Sequence, residues 1–216
     1  MNKTRFGLMA VTAAILALFV GRVLSQEGEK KKDQPPGMPG AGQMSPDEMA
    51  KMQKWMATTQ PSAHHKHLEH FVGQWDTTMK IWMSGPDGPP MESEGTSTVM
   101  WVLGGRYLQE EMKGEIMGMP YEGLGLTGYD NYKNMYMSSW ASNADTQFLT
   151  MTGARHPKTG IFTFYGAMDE AGIDVHGRTV KYTNKILDKD RHVFSSIDLH
   201  AGDDYKVVEI SYTRKK

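Results

Sequence analysis

Hydrophobic and polar residues alternate with a period of two along most of the chain, from residue 73 onward. Such alternation is typical of β-strands with one buried face. Clusters of Gly, Pro, Asn and Asp interrupt the alternation where turns are expected. The pattern predicts ten strands, over residues 75–82, 91–103, 106–116, 121–129, 135–141, 148–155, 161–168, 178–187, 192–199 and 205–214.

The ten predicted strands follow one another through short connections, with no helical interval between them. This order predicts an all-β fold, an antiparallel up-and-down β-barrel, because closing the sheet removes its two exposed edges. A barrel of about eight strands already holds a small ligand, so ten strands are expected to leave a cavity.

Two short helices are predicted before the barrel. Residues 45–48 have the form of a helix start, with Ser45 as the cap and Glu48 reaching back to it. A short amphipathic helix and its connection are therefore predicted over residues 45–61. A second short helix is predicted from residue 61 to about residue 72.

The first predicted helix has an apolar face formed by Met49, Met52 and Met56, with Trp55 beside them. We expect this face to dock on the barrel domain of residues 62–216, because apolar helices next to a domain usually pack on it. Contact with a separate partner is the alternative.

The N-terminal region has the form of a secretory signal. Residues 6–20 are an uncharged run of 15 residues that follows the basic Lys3 and Arg5. A membrane span needs about 20 apolar residues, so we predict a cleaved signal peptide over residues 1–25, with a retained anchor as the alternative. Residues 26–44 are rich in Gly, Pro, Lys and Glu and predict a disordered linker.

The charge and the cysteine content exclude several classes of protein. The chain has 24 basic and 25 acidic residues, and without residues 1–25 it would have 21 and 25, a net charge of −4. Nucleic-acid binding normally shows a basic excess, so we expect no nucleic-acid partner. With no cysteine, disulfides, thiolate zinc sites and a cysteine nucleophile are excluded. We expect an exported protein, periplasmic or extracellular.

The first and last predicted strands resemble those of lipocalins and their calycin relatives. Gly73 and Trp75 open the first strand in a G-x-W pattern, and Arg214 lies in the last strand. In those families the Trp closes one end of the barrel and an Arg lies across it. The resemblance implies the same closure here, with a cation–π contact that contributes about 0.5–2 kcal/mol to stability.

Three longer segments resemble the domain-of-unknown-function family 1579, a group of bacterial, often exported domains with a calycin-type barrel. They are residues 101–108 (WVLGGRYL), 121–130 (YEGLGLTGYD) and 208–214 (VEISYTR). The resemblance spans about residues 68–214. It implies a fold and no activity, so it assigns no catalytic residue.

Three charged residues are candidates for holding the polar group of a ligand. Glu110 is an acid on the apolar face of its predicted strand, which also includes Arg106, and Arg178 begins a later strand. Ligand pockets are typically apolar with a few placed polar groups. The alternative is that both arginines meet solvent or pair locally at the strand ends. The final two strands do not show which face lines the interior.

Two groups of residues are candidates for metal binding. The first is four histidines within seven residues, His64, His65, His67 and His70. Pairs three apart on a helix can share a metal, but no carboxylate is placed to complete a set, so we expect adventitious affinity only. The second is two close methionine pairs, Met117 with Met119 and Met135 with Met137. Thioethers suit Cu(I), but methionine more often fills irregular apolar space or lines an adaptable cavity.

Haem is a further alternative, which rests on likeness of fold. The nitrobindins, a related family of ten-stranded barrels, hold haem through a His near the C-terminal strands, and His192 or His200 are the comparable residues. No G-x-S-x-G motif is present.

The sequence as a whole predicts an exported protein that binds a small apolar or amphiphilic molecule without transforming it. The alternatives are a haem-dependent or other small-molecule enzyme, and a protein-interaction domain presented on the spacer of residues 26–61.

Overall fold

A computed structural model describes residues 45–216, apart from the side chain of Ile173. The predicted signal peptide and linker lie outside the described residues. The chain divides into two compact units, residues 1–58 and residues 59–216, and each is described by itself.

In the first unit, helix α1 spans Pro46–Thr59. Its start has the predicted capping box. The backbone N–H of Ser45 donates to Glu48 Oε2 at 2.8 Å, and the backbone N–H of Glu48 donates to Ser45 Oγ at 3.3 Å. The docking of its methionine face stays a prediction.

The second unit begins with two short helical segments in place of the single helix predicted over residues 61–72. These are α2, Ala63–Lys66, and a 3-10 turn, Glu69–Phe71. The α-helix ends at Lys66, where the Tyr136 hydroxyl donates to the carbonyl of His64 at 3.0 Å and the following backbone N–H groups bond three residues back instead of four. Barrel side chains also hold the end of the second segment. Trp75 Nε1 donates to the carbonyl of Phe71 at 2.8 Å, and Arg214 Nη2 donates to the carbonyl of His70 at 2.8 Å.

Ten antiparallel strands close into one barrel, which confirms the predicted fold class. Each strand pairs with its neighbours in the sequence, and the first pairs with the last, so the sheet has no free edge. The strands are β1 Gly73–Ile81, β2 Met91–Val102, β3 Tyr107–Ile116, β4 Met119–Asp130, β5 Met135–Ser142, β6 Leu149–Arg155, β7 Phe162–Glu170, β8 Val175–Asp188, β9 Arg191–Asp198 and β10 Lys206–Arg214, with a 3-10 turn, Ala171–Ile173, between β7 and β8.

One end of the barrel, here called the closed end, is covered by residues 60–72 and packed solid. Trp75 is 0% exposed there, and Leu68 and Phe162 are each 1% exposed. The expected cavity therefore does not run the full length of the barrel. The other end, here called the mouth, is formed by the connections 82–90, 117–118, 143–148, 171–174 and 199–205.

Gly73, Trp75 and Arg214 close the barrel seam at the closed end. Trp75 pairs with Arg214 across β1 and β10, and the guanidinium carbon of Arg214 lies 4.1 Å from the centre of the Trp75 ring. Gly73 has a φ of +137°, and a Cβ there would lie 2.4 Å from Arg214 Nη1. Only glycine fits this conformation beside the guanidinium.

Within residues 45–216, neither α-helix has the length and apolar character needed to span a membrane.

Candidate functional site

The inner wall near the mouth is apolar and keeps solvent-accessible surface. Register places one face of every strand inside. The inward residues at the rim of the mouth are partly buried: Ile81, Ile116, Tyr121, Trp140, Leu149, Met168 and Val208. Below this rim the inward side chains of Met79, Met112, Met151 and Val180 are buried. The accessible apolar surface of the mouth half is therefore at its rim.

A cavity lies on the inner side of β1 to β4 in this half. It encloses about 10 Å³, room for about one water molecule, and its lining includes the inward Thr77, Met79, Met112 and Tyr121 and the outward Glu94, Lys113 and Glu115. Gly95 and Gly114 pair directly with each other in its wall. A Cβ on Gly95 would lie 2.5 Å from the carbonyl oxygen of Lys113, so the two glycines allow β2 and β3 to approach closely in this part of the wall.

A second pair of glycines makes room for an aromatic ring. Gly123 and Gly125 of β4 face inward, and a Cβ on Gly123 would lie 2.1 Å from Cζ2 of Trp140. The Trp140 ring therefore lies against bare backbone. Its Nε1 donates to the hydroxyl of Tyr121 at 3.0 Å, which fixes the orientation of both rings.

Glu110 is the acid of the inner wall in the middle of β3. It lies between Leu108 and Met112 on the inward face, as the alternation of its strand indicated. Ser97 Oγ donates to its Oε1 at 2.7 Å, and the Tyr212 hydroxyl donates to the same oxygen at 3.2 Å. Burial raises the pKa of the Glu110 carboxyl, and the two hydroxyl donors only partly oppose this rise.

Glu110 keeps some solvent-accessible surface although it points into the barrel. Open space therefore remains beside its carboxylate. Tyr121 lies close enough for the charge of Glu110 to raise the pKa of the Tyr121 hydroxyl, although burial is the larger cause of that rise. The arrangement is an acid with one occupied and one available oxygen, next to aromatic rings.

Arg178 lies inside the mouth and is held by two acids. Its Nη1 donates to Glu170 Oε2 at 2.7 Å and to Asp198 Oδ2 at 2.9 Å. Asp198 is 5% exposed and also accepts the backbone N–H of His200 at 3.0 Å. The guanidinium is therefore already neutralised by protein carboxylates. The sequence analysis gave this local pairing as the alternative to ligand binding.

The family described as Protein of unknown function (DUF1579) matches residues 60–214. This is most of the second unit and includes all ten strands. The chain belongs to the DUF1579 family. No curated protein matches it.

Solved structures with a similar barrel share little sequence with this DUF1579 chain. Rv2717c from M. tuberculosis is 14% identical, over 73% of this chain and 100% of that one, with a TM-score of 0.52. The S-type phycobiliprotein lyase CPES from Guillardia theta is 10% identical over 74% and 97%, with a TM-score of 0.47. A redesigned β-barrel, mFAP0, bound to DFHBI, is 14% identical over 67% and 99%, with a TM-score of 0.36. At these identities the likeness to Rv2717c shows the fold alone.

Arg106 of this DUF1579 barrel lies apart from Glu110 and Arg178, the other two residues predicted to bind a ligand. It lies in the turn before β3, at the closed end, where its Nε donates to the carbonyl of Thr59 at 2.9 Å and its Nη1 to that of Leu103 at 3.2 Å. Leu103 and Gly104 have positive φ values, so the chain turns before Arg106 instead of extending the strand from it. Arg106 and Arg178 are at opposite ends of the barrel.

The two histidines compared with haem ligands are also at opposite ends. His192 is 4% exposed at the closed end, stacked on Tyr212 at 4.2 Å with Trp75 at 4.5 Å. A porphyrin could reach this ring only by displacing those side chains. His200 is exposed in the β9–β10 connection. The residues therefore do not fit an axial haem site.

The four clustered histidines of the DUF1579 domain have separate contacts at the closed end. His64 stacks on Tyr129 at 4.2 Å, His65 Nδ1 accepts the backbone N–H of Ser62 at 2.9 Å, and His67 Nδ1 lies 2.9 Å from the Tyr136 hydroxyl. His70 lies 5.8 Å from His192, ring centre to ring centre. In residues 45–216 no three His, Asp or Glu side chains come together as a metal site.

The methionine pairs singled out in the sequence do not fill the interior. Met117 and Met119 are 67% and 62% exposed at the mouth, and register turns Met135 and Met137 to the outer face of β5. The methionines of the core are Met79, Met112 and Met151.

Sequence reasoning missed Ser97, Tyr121, Trp140 and Tyr212, which surround Glu110. They come from four other strands, and only the strand register brings them together. Each lies on an alternating strand, which is the signal that the sequence does contain. The glycines at 123 and 125 opposite an aromatic strand are the second signal, because inward glycines mark a place where a side chain crosses the wall.

Proposed function

We propose that this protein binds a small apolar or amphiphilic molecule in the mouth half of its barrel and does not transform it. The observation on which the proposal depends is the partly exposed apolar rim of the inner wall at the mouth, with one inward acid, Glu110, deeper in the barrel. An apolar pocket with few polar groups is the usual form of a small-molecule site.

The mouth supports the same proposal. Exposed apolar side chains occur in its connections or at the strand ends beside them: Met83, Met117, Met119 and Phe148. The cavity beside Tyr121 encloses about 10 Å³, room for about one water molecule and far below the roughly 300 Å³ of drug-sized pockets. Binding would therefore require inward side chains to shift, with most of the apolar surface of the ligand against these mouth residues.

Binding without conversion is favoured by the state of the interior polar groups. Inside the barrel, within the described residues, no hydrogen bond joins a serine or threonine hydroxyl to a histidine. Burial, aided by the charges of His70 and Arg214, lowers the pKa of His192 to about 3 and its ring is enclosed by aromatic side chains, so it is a poor general base. Export to the periplasm or outside the cell belongs to the same proposal, and the signal-like residues 1–25 support it.

The test is binding of Nile red, a neutral apolar dye, measured by its fluorescence with the full chain and with a variant that fills the mouth. Val208 faces inward at the mouth, so Val208→Trp should weaken dye binding about tenfold or more. Leu124→Trp adds the same ring to the exposed outer face of β4 and should leave binding unchanged. Equal binding by the Val208 variant and the unsubstituted protein, or no binding by either, would overturn the proposal.

A further inference from the structure

Glu110 has no cation beside it. The basic side chains that face the interior, apart from the neutral His192, are three arginines. Arg178 pairs with Glu170 and Asp198 at the mouth, and Arg155 and Arg214 lie at the closed end. Within residues 45–216 no ion pair includes Glu110, and none of the causes of its raised pKa is a positive charge. A desolvated carboxylate without a counter-ion is costly, and its cost falls when a cation is supplied.

The second carboxylate oxygen of Glu110 keeps accessible surface. Both hydroxyl donors, from Ser97 and Tyr212, bind Oε1. In the described part of the chain Oε2 accepts no hydrogen bond, and Glu110 retains accessible surface. One oxygen is therefore held in place by the protein, and the other is available to a donor that enters from the mouth.

Aromatic rings surround the same position. Tyr212 touches Glu110 directly, Tyr121 lies near it, and Trp140 lies across Gly125, which is the residue paired with Glu110 on the next strand. Aromatic faces attract cations, most strongly where water is excluded. A carboxylate together with aromatic rings is suited to an ammonium group.

The charges at the two ends of the barrel favour the same ligand. The five connections of the mouth contain five acids and no Lys or Arg, and the acids are Asp87, Asp145, Asp174, Asp203 and Asp204. The four connections of the closed end contain Arg106, Lys133, Lys158 and Lys189, with Asp190 as their acid. A cation approaching this barrel is attracted to the mouth and repelled from the closed end.

We propose that the ligand is an amphiphilic amine, that its protonated nitrogen binds Glu110 inside the barrel, and that its apolar part extends toward the mouth. This inference rests on the proposed function and adds the charge and orientation of the ligand. Arg178 takes no part in it, because Glu170 and Asp198 already neutralise its guanidinium.

Three probes of equal chain length test the inference by titration calorimetry at pH 7 with the full chain: octylamine, octanol and octanoate. Octylamine should bind about tenfold or more tightly than octanol, since a hydrogen bond to a charged group contributes about 1.5–3 kcal/mol. Octanoate should bind most weakly, because it places a second negative charge beside Glu110.

Glu110→Gln should reduce octylamine binding to the level of octanol binding, since the amide keeps an oxygen for Ser97 and Tyr212 but has no charge. Glu111→Gln is the matched control, because it removes the same charge from the exposed outer face of the same strand. The control should keep the full preference. Octanol binding by the Glu110 variant also shows that the variant is folded.

The outcomes separate this inference from the proposed function. Equal binding of octylamine and octanol to the unsubstituted protein, or tightest binding of octanoate, overturns the inference and leaves the proposed function standing. A preference for octylamine that survives Glu110→Gln overturns the role of Glu110. Binding of none of the three probes counts against the proposed function itself. The comparison of probes on the unsubstituted protein decides the matter even where the Glu110 variant does not fold.

Discussion

Glu110 lowers the stability of the folded barrel at neutral pH. The pKa of its carboxyl is raised by burial above the ordinary value of 4.5. Above pH 4.5 the unfolded chain releases the proton that the folded chain still holds, so folding is progressively disfavoured as pH rises through this window. A group kept at such a cost is typical of functional sites.

The first prediction concerns this cost. Glu110→Gln should raise the melting temperature at pH 7 and change it much less at pH 4, where the folded carboxyl is already protonated. Thermal unfolding followed by circular dichroism at the two pH values measures both effects. An equal change at pH 4 and pH 7 would show that packing, and not the charge, determines the effect of the substitution.

His192 makes the folded protein less stable as pH falls, whereas Glu110 makes it less stable as pH rises. Its pKa is lowered from 6.5 to about 3, mainly by burial and also by the nearby charges of His70 and Arg214. Between these values the unfolded chain binds a proton that folded His192 does not, so stability falls as pH decreases from 6.5 toward 3. The loss reaches up to about 5 kcal/mol at 1.36 kcal/mol per unit.

The second prediction is that His192→Phe makes urea unfolding less sensitive to acid. The phenyl ring keeps the stacking on Tyr212 and cannot be protonated. The midpoint should fall less between pH 7 and pH 4.5 in the variant than in the unsubstituted protein. Some dependence should remain, because burial also lowers the pKa of the neighbouring His70. Identical pH profiles would contradict this assignment.

At the scale of elements, the closed end depends on two residues that join the helical segment to the barrel. Trp75 and Arg214 donate hydrogen bonds to the carbonyls of Phe71, His70 and Val72, and they also stack on each other. These contacts at the seam between β1 and β10 therefore couple the stability of residues 60–72 to that of the sheet.

The third prediction follows from this seam. Trp75→Ala should lower the free energy of unfolding by about 3–5 kcal/mol, as truncation of a large buried aromatic does. Arg214→Lys keeps a charge near the ring but loses the forked donors, so amide exchange in residues 62–72 should become faster in this variant. A loss below about 1 kcal/mol for Trp75→Ala, from the urea unfolding curve, would contradict the role of Trp75.

The fourth prediction concerns the fit of Trp140 against β4. Gly123→Ala should cost about 1–3 kcal/mol, because the added methyl overlaps the indole. In a Trp140→Leu background the same substitution should cost little, and a double-mutant cycle on urea unfolding measures the difference. Additive effects would mean that the ring does not lie on the glycine.

The strands could be predicted from local sequence, and the second helix could not. All ten strands could be predicted because each contains its own alternation and ends at its own turn residues. The second helix could not be predicted correctly, because the carbonyl of His64 within it accepts a hydrogen bond from the Tyr136 hydroxyl of β5. That contact is distant in sequence and leaves no local pattern.

The same distinction applies to the site. Glu110 could be found from one strand alone, as an acid on an apolar face. Its partners Ser97 and Tyr212 could not, because the first lies 13 residues away and the second 102 residues away. The alternation predicts Arg106 at the start of β3, whereas positive φ values at Leu103, Gly104 and Gly105 place it in the turn before that strand.

At the scale of the whole molecule, the barrel has opposite charges at its two ends. Acids are concentrated in the mouth connections and basic residues in those of the closed end. Such a distribution speeds the approach of a cation to the mouth, and salt weakens the effect because the screening length is about 10 Å at 0.1 M.

The fifth prediction is kinetic. The association rate of octylamine should fall as salt rises from low to physiological concentration, whereas that of octanol should not change. Asp203→Asn together with Asp204→Asn should reduce this salt dependence, and Glu111→Gln on the outer wall should not. Stopped-flow Trp fluorescence measures these rates. Equal salt dependence for the charged and neutral probes would exclude steering by the mouth.

The pairing of β1 with β10 also determines how the protein can be handled. The backbone N–H of Lys215 donates to the carbonyl of Gln74 at 2.8 Å, so the end of the last strand lies at the closed end, opposite the mouth. A tag or sensor surface attached at Lys216 would therefore leave the cavity entrance unobstructed. A barrel immobilised in this way would present its entrance to the sample with a uniform orientation.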